Sequence, residues 1–455
     1  MIERACCALY IGLLPVMIIP DLPVVGHKLQ LADGVFACWL LACCAGGNLR
    51  GLLRVSHPVT AALLLLLSVA VVTTLTAKHI LIGSVELLGI VYLVALYHLL
   101  LRVITTWQDW RRVICLWVWV STGVAVAGIA GVGLGYLGVA TPLATRMDGF
   151  YHILAHPFWV GTSTFLASPT PNMVYGYLHV GMFLSLGLLV SASGSDRMAY
   201  AAAVGLHLLG IALSYSRGWV SGMFGLLVFV WPFRTTVARV FSHALFAAWL
   251  VVAGGIGVLS EWSIRDVIVT QRPVSPAPSA EEHDRYYPYL QQDVPIRQLR
   301  VEAIVAPFMR PFLRQAAVQM WKERPLLGVG PGNFSYELFR RRATGEQAWW
   351  GLEVREPWDP HSTYLGMLAE MGIGGALALL ALLGAAVWQI AQAVKTAGPP
   401  HRRLVWALLS CVCGYLILAW DDDLLTKRWL WVVLALGGSA YQLSRPSHHP
   451  ATPMS

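Results

Sequence analysis

Residues 377–387 read LALLALLGAAV, a run without a single charged or hydrogen-bonding side chain. The apolar stretch around this run, about residues 364–394, is longer than the roughly 20 residues with which a helix crosses a bilayer. Comparable stretches recur along the chain, which is 57% hydrophobic and only 12% charged. A soluble domain carries about twice that charged fraction. These features predict an all-α, polytopic membrane protein.

Hydropathy divides the chain into twelve candidate transmembrane helices. The first apolar run has no small-residue cleavage site before Asp21 and is therefore interpreted as a span rather than a signal peptide. The predicted domains are spans 1–9 in residues 1–260, an extracytoplasmic loop domain at 261–360, spans 10–12 in 361–445 and a cytoplasmic tail at 446–455. The spans lie at about 5–20, 34–49, 58–76, 79–101, 112–140, 173–192, 198–214, 217–233, 239–260, 364–394, 401–420 and 427–443.

The distribution of Lys and Arg predicts the orientation, because cytoplasmic loops of membrane proteins are enriched in these residues. With the N-terminus in the cytoplasm, most basic residues near the spans fall at inner ends. The short outer loops then hold only Lys28, Lys78, Arg146, Arg217, Lys427 and Arg428. The long outer loop carries thirteen basic and thirteen acidic residues, so the net charge of +8 does not indicate a nucleic-acid-binding surface.

The middle of the long loop, residues 309–334, reads MRPFLRQAAVQMWKERPLLGVGPGNF. Its first half has apolar residues at helical spacing, and Arg310 and Arg314 are four residues apart, on one face of the predicted helix. Pro325 ends that helix. Two guanidinium groups on one face suit a diphosphate, because each donates bidentately and keeps its charge. The alternative is an interfacial helix whose arginines contact lipid headgroups.

Further candidates lie where the predicted outer surface meets the spans. His361, at the start of the tenth span, is a candidate proton acceptor because an ordinary histidine has a pKa near 6.5. Tyr364 shares its helical face. Arg217 lies in a very short outer turn, facing either a cavity or the headgroups. Arg146 lies in the outer loop after the fifth span.

No cofactor or metal motif is recognisable. The eight cysteines all fall in apolar runs and form no disulfide or metal-binding pattern. The GVGPG sequence at 328–332 lacks the Lys-Ser/Thr ending of a phosphate-binding loop. Asp421–Asp423 could bind a hard divalent cation, but pairing with Lys427 and Arg428 is favoured. Glu370 is excluded as a partner of His361, since nine positions place it on the opposite helix face.

Three motifs carry a resemblance to a known family. They are SYSRG at 214–218, an arginine followed after eight residues by QMWKERPLLGVGPGNF across 310–334, and HSTYLGMLAEMGIGG at 361–375. Together with the long loop before the last three spans, they resemble the bacterial O-antigen ligase and polymerase superfamily. The resemblance implies a glycosyltransferase of the bacterial inner membrane, with its active site on the periplasmic face.

By that resemblance, His361, Arg217 and Arg310 are expected to be catalytic, and Arg146, Arg314 and Tyr364 to help bind substrate. The O-antigen ligase fits best by length and topology. The expected donor is O-antigen on undecaprenyl diphosphate, the acceptor is lipid A–core oligosaccharide, and the surroundings are membrane lipids. The reaction is expected to be inverting and metal-independent. A repeat-unit polymerase, a protein O-oligosaccharyltransferase and a non-enzymatic lipid or polysaccharide transporter remain alternatives.

Overall fold

The computed structural model describes residues 2–16, 30–45, 58–136, 171–213, 216, 218–232, 310–311, 313–343 and 359–445. Within these ranges the regular structure is helical, with no strand. The helices are α1 (Ile2–Leu13), α2 (Leu31–Ala45), α3 (Pro58–Leu75), α4 (Ile80–Val103), α5 (Trp107–Tyr136), α6 (Pro171–Ser191), α7 (Gly194–Leu213), α8 (Trp219–Val230), α9 (313–323), α10 (Phe334–Ala343), α11 (Thr363–Thr396), α12 (Pro399–Leu418) and α13 (Arg428–Leu443).

The all-α membrane class is confirmed. Among the described residues, six helices are long and apolar enough to cross a membrane, namely α3, α4, α5, α6, α11 and α12. Helices α2 and α8 are apolar but shorter. Helices α1, α7 and α13 coincide with three further predicted spans. The ninth predicted span, at 239–260, lies outside the described residues, so the count of twelve and the domain boundaries stay predictions.

Helices α6 and α13 form the interior of the bundle. Helix α6 packs against α5, α7 and α12, and α13 packs against α4, α11 and α12. Both are buried on nearly all sides, as expected for helices that are hydrophobic all round. Hydrogen bonds add to this packing: the Tyr415 hydroxyl donates to the Gly176 carbonyl at 2.6 Å, and Trp110 Nε1 donates to the Leu436 carbonyl at 2.9 Å. Such bonds matter because lipid supplies no hydrophobic force between helices.

Helix α11 is broken at Gly372, which has φ 63° and ψ −159°. At 1.5 Å per residue, a straight α11 would be about 50 Å long and α12 about 30 Å. The two helices are nevertheless joined by a short link at one end. At the other end the Thr363 amide donates to the Ala419 carbonyl at 2.8 Å. Both ends can meet only because α11 bends, which turns its first segment, 363–371, away from the axis of the rest.

The GVGPG loop fills the break in α11. The Val329 and Gly330 amides donate to the carbonyls of Ala369 and Glu370 at 2.9 and 2.8 Å, and the Ile373 amide donates to the Pro325 carbonyl at 2.8 Å. These are backbone groups that an unbroken helix would pair internally. Gly328, at φ 64°, is needed here because a Cβ would lie 2.4 Å from the Glu370 carbonyl carbon. The loop therefore completes a helix rather than cradling a phosphate.

A small apolar cluster fixes α9 above this loop. Its buried members are Leu313, Ala317, Met320, Val329, Phe334, Leu338 and Ala369. Asn333 Oδ1 also accepts a hydrogen bond from the His79 amide at 3.3 Å, at the turn between α3 and α4. The predicted amphipathic helix is confirmed for residues 313–323. Phe312, one of the apolar residues whose spacing predicted the helix, lies outside the described residues. This packing fixes the position of Arg310 and Arg314 relative to α11 and α12.

Candidate active site

Arg310 and Arg314 converge on one carboxylate. Arg310 Nη1 lies 2.5 Å from Asp421 Oδ2, and Arg314 Nη2 lies 2.7 Å from Asp421 Oδ1. The three side chains are only 12%, 22% and 24% exposed. Shielding from water strengthens these contacts relative to surface ion pairs. The helical spacing thus does place both guanidinium groups on one anionic group. That group is Asp421, which belongs to the acidic run 421–423 noted in the sequence but was not predicted to contact these arginines.

Arg314 makes further contacts around that carboxylate. Its Nη2 donates to the carbonyl oxygens of Trp420 at 2.9 Å and His361 at 3.1 Å. Its guanidinium carbon lies 5.6 Å from the centre of the Trp420 ring, within the range of a cation–π interaction. Arg314 therefore holds the start of α11, the end of α12 and Asp421 together.

His361 has an unusual backbone conformation. Among the non-glycine residues that the structure describes, His361 alone has a positive φ, of 47°. Its amide donates to Asp359 Oδ1 at 2.6 Å, and Nδ1 lies 3.5 Å from the same oxygen. The next residue, Ser362, caps α11 by accepting the Leu365 amide at 3.4 Å. A left-handed conformation at such a residue is costly and is typical of functional positions.

The surroundings of His361 favour its neutral form. Burial lowers the pKa of its imidazole below the ordinary 6.5, Arg310 and Lys427 lower it further, and the carboxylates of Asp359 and Asp421 oppose the shift. The imidazole keeps 27% of its surface exposed. At neutral pH it is therefore an accessible ring with a free lone pair, which can accept a proton.

The acidic run 421–423 pairs differently from the prediction. The expected partner Arg428 was wrong, because at the start of α13 it faces α2 and binds both carboxylate oxygens of Asp33, at 2.9 and 2.6 Å. Asp421 binds the two loop arginines instead. The second expected partner, Lys427, is confirmed as a neighbour of Asp422 and Asp423. Burial lowers the pKa of the Lys427 ammonium group, but these two carboxylates raise it above its ordinary value.

Asp422 is almost fully buried, and burial raises the pKa of its carboxyl to about 7. Its backbone carbonyl accepts the Thr363 hydroxyl at 2.7 Å, which ties the acidic run to the start of α11. Among the described residues, no group of three or more His, Cys, Asp or Glu side chains is arranged to hold a metal ion.

Tyr364 and Glu370 both have structural partners. The Tyr364 hydroxyl donates to the Leu416 carbonyl of α12 at 2.7 Å. Glu370 lies at the break in α11, where its Oε1 accepts the Phe334 amide at 3.3 Å. Tyr364 therefore links the start of α11 to the end of α12, near Trp420. Glu370 holds the GVGPG loop, in agreement with its exclusion as a partner of His361.

Arg146 and Arg217 lie outside the described residues. The residues on either side of Arg217 are described: Ser216 Oγ accepts a hydrogen bond from the Gly218 amide at 3.1 Å. Gly218 directly precedes α8 and contacts the ring of Tyr175 on α6.

The sequence from residue 202 to residue 380 matches the family described as O-antigen ligase. This match supports the O-antigen ligase and polymerase superfamily. The matched region runs from α7 through the long loop to the first part of α11, and so includes Arg310, Arg314 and His361. No curated protein matches the chain.

Members of the matched family are glycosyltransferase-like enzymes that act on lipid-linked polysaccharides in a membrane. The helical bundle agrees with a multi-pass membrane protein. Both statements hold equally for a ligase and for a polymerase.

Proposed function

We propose that this protein is an O-antigen ligase, acting on the periplasmic face of the bacterial inner membrane. It transfers O-antigen polysaccharide from undecaprenyl diphosphate to a sugar hydroxyl of lipid A–core oligosaccharide. The observation that carries the proposal is the meeting of two arginines on one carboxylate, with the neutral His361 in the same cluster. Such a cluster combines an anion-binding group with a proton acceptor.

In the proposed reaction, His361 accepts the proton of the acceptor hydroxyl as that oxygen bonds to the anomeric carbon of the donor sugar. The bond from this carbon to the diphosphate oxygen breaks with its electron pair, so the undecaprenyl diphosphate leaves with an additional negative charge. Displacement from the opposite side inverts the anomeric carbon. Proton, electron pair and leaving group are accounted for without an oxidant, a reductant or a metal.

The arginines stabilise the departing diphosphate. Arg310 and Arg217 are the proposed principal ligands, with Arg314 and Arg146 assisting. Fixed guanidinium donors in a partly dry site stabilise developing negative charge without reorganising. In the described structure Asp421 occupies the guanidinium groups of Arg310 and Arg314. We infer that the diphosphate takes over part of this pairing when the donor binds.

The test is transfer by purified protein in detergent or vesicles, with a polyprenyl diphosphate-linked glycan as donor. Lipid A–core oligosaccharide and a second molecule of lipid-linked glycan serve as alternative acceptors. A ligase yields glycan attached to lipid A–core, whereas a polymerase lengthens the lipid-linked glycan. A product only in the second reaction would overturn the ligase assignment while keeping the proposed donor chemistry.

A further inference from the structure

The carboxylate of Asp359 contacts both the main chain and the side chain of His361. Asp359 Oδ1 accepts a hydrogen bond from the His361 amide at 2.6 Å. The same oxygen lies 3.5 Å from Nδ1 of the imidazole, a distance at which the two groups interact through their charges rather than through a well-formed hydrogen bond. One oxygen therefore faces the backbone and the ring of the candidate proton acceptor.

The segment that joins these two residues is short and stiff. Pro360, between them, is buried, and its ring restricts its own φ and the conformation of the residue before it. On the other side, the His361 carbonyl accepts a hydrogen bond from Arg314 Nη2 at 3.1 Å. Both backbone polar groups of His361 are thus paired, which holds its positive φ of 47° and keeps the carboxylate beside the ring.

The turn alone does not require a carboxylate. An acceptor oxygen two residues before the amide closes it, and asparagine supplies such an oxygen as aspartate does. What aspartate adds is negative charge beside the ring. Burial lowers the pKa of the His361 imidazole, and Asp359 is the group that opposes this most. The other charges that act on the ring are Arg310 and Lys427, which lower its pKa, and Asp421, which raises it.

This charge favours one of the two neutral forms of the imidazole. A neutral ring carries one N–H group and one nitrogen lone pair. A lone pair on Nδ1 would be repelled by the carboxylate oxygen 3.5 Å away, whereas an N–H group at that position is attracted to it. The proton of the neutral ring is therefore favoured on Nδ1. The lone pair is then on Nε2, which becomes the nitrogen able to accept a proton.

We propose that Asp359 is a positioning residue for the transfer: its carboxylate holds the proton of neutral His361 on Nδ1 and stabilises the imidazolium that forms when Nε2 accepts the proton of the acceptor hydroxyl. The inference rests on the proposed function of His361 as the general base. In this step the lone pair of Nε2 forms the new N–H bond, the proton on Nδ1 stays in place, and none moves to the carboxylate. The ring becomes positively charged beside Asp359 Oδ1.

The experiment separates the charge of Asp359 from its part in the turn. In Asp359→Asn the amide oxygen can still accept the His361 amide, so the turn and the fold are retained while the charge is lost. Asp359→Ala removes both. Glu323→Gln is the matched control, because it removes a carboxylate from an exposed position on α9. For each full-length variant, kcat, donor KM and the pH profile of kcat/KM are measured, with thermal stability in detergent.

We expect Asp359→Asn to lower kcat about 3- to 30-fold with stability unchanged. The carboxylate is 46% exposed, so screening by water keeps this effect below that of losing the base itself. Without the charge the pKa of His361 falls further, and the acid limb of the kcat/KM profile moves to lower pH. Donor KM does not rise, because removing a negative charge does not weaken binding of the diphosphate. Asp359→Ala is also less stable, and Glu323→Gln changes none of these values.

Two results separate this inference from the proposed function. Near-normal transfer by His361→Ala would remove the general base and with it the proposed mechanism. An inactive His361→Ala, together with an Asp359→Asn whose kcat and pH profile equal those of Glu323→Gln, would overturn only the role of Asp359, which would then close the turn and nothing more. In the His361→Ala background Asp359→Asn should have no additional effect, and a further loss there would also contradict the inference.

Discussion

Arg314 donates a hydrogen bond to the backbone carbonyl oxygen of His361 over 3.1 Å. One arginine of the candidate anion-binding pair thus contacts both the Asp421 carboxylate and the backbone of the candidate proton acceptor. The long loop and the start of α11 are consequently held in register by a side chain that the proposed function also uses for the diphosphate. Replacing Arg314 should therefore change the position of the backbone at His361 as well as the charge of the site.

Arg310 and Arg314 should respond differently to replacement by lysine. Arg310 contacts Asp421, whereas Arg314 also holds two carbonyl oxygens and lies over Trp420. Arg310→Lys keeps a charge there and should retain part of the donor binding. Arg314→Lys loses the planar fork and should lose about 10- to 100-fold in donor binding, the effect of one or two charged hydrogen bonds. Binding titrations measure both.

The exposed Arg324→Ala is the matched control for charge, because Arg324 lies on the same segment of the long loop. Equal losses for Arg310→Lys and Arg314→Lys would contradict the division of roles between the two arginines.

Asp421→Asn should lower the stability of the unliganded protein against unfolding. The carboxylate is 24% exposed and neutralises two guanidinium groups; without its charge they repel each other. We expect a loss on the order of 2 kcal/mol in stability, and most of it should be recovered on adding inorganic pyrophosphate, which supplies the missing negative charge. Thermal unfolding with and without pyrophosphate measures this. A loss that pyrophosphate leaves unchanged would argue against a shared anion site.

His361→Ala should abolish turnover while donor binding persists. Removal of a general base typically costs about 10²- to 10⁴-fold in rate. Because burial lowers the pKa of His361 below its ordinary 6.5, the imidazole is neutral at any pH above its own lowered pKa and protonated below that pKa. In the unsubstituted enzyme kcat/KM should therefore rise with pH and level off below neutrality. Single-turnover transfer between pH 5 and 8 tests both points, and near-normal transfer by His361→Ala would end the general-base proposal.

Transfer should survive a chelator. The proposal assigns the diphosphate charge to arginines, and within the described chain no acidic cluster has a metal-binding arrangement. Activity is compared before and after EDTA, followed by Mg²⁺ or Mn²⁺. Restoration of lost activity by either ion would assign Asp421–Asp423 to a metal instead.

Gly372→Ala should destabilise the protein strongly. An alanine at φ 63° is strained, and its Cβ would lie 2.4 Å from the Leu326 carbonyl carbon. A loss of about 2 kcal/mol or more is expected from combined strain and overlap. Gly384→Ala on the same helix is the control, since no atom lies within 4 Å of its added Cβ. Thermal unfolding of both variants gives the comparison, and equal stability would show that the break tolerates a side chain.

Local periodicity was enough to predict the helical membrane class, the helix that carries Arg314 and the paired direction of the two arginines. These follow from hydropathy and from the 3.6-residue repeat, which are properties of neighbouring residues. Arg146 and Arg217 lie outside the described residues, so their place in the site stays a prediction.

The partner of the arginines could not be predicted. Asp421 is 111 residues from Arg310, and its neighbours Lys427 and Arg428 were the nearer opposite charges in sequence. The bend of α11 determines which acidic group the arginines contact, because it brings Thr363 to the end of α12, next to Asp421. The bend itself was hidden: Gly372 lies in a glycine-rich apolar run that hydropathy interprets as one long span. Its cause, a loop that satisfies the broken backbone, involves residues about forty positions upstream.

The repair of α11 by residues 325–330 also limits how this protein can be recombined with its relatives. The loop supplies two amides and one carbonyl that α11 lacks. Exchanging the loop alone, or 363–375 alone, would combine a broken helix from one protein with a loop from another. The loop would then not match the unpaired backbone groups of that helix. Chimaeras built to transfer donor or acceptor preference should therefore exchange the two segments together.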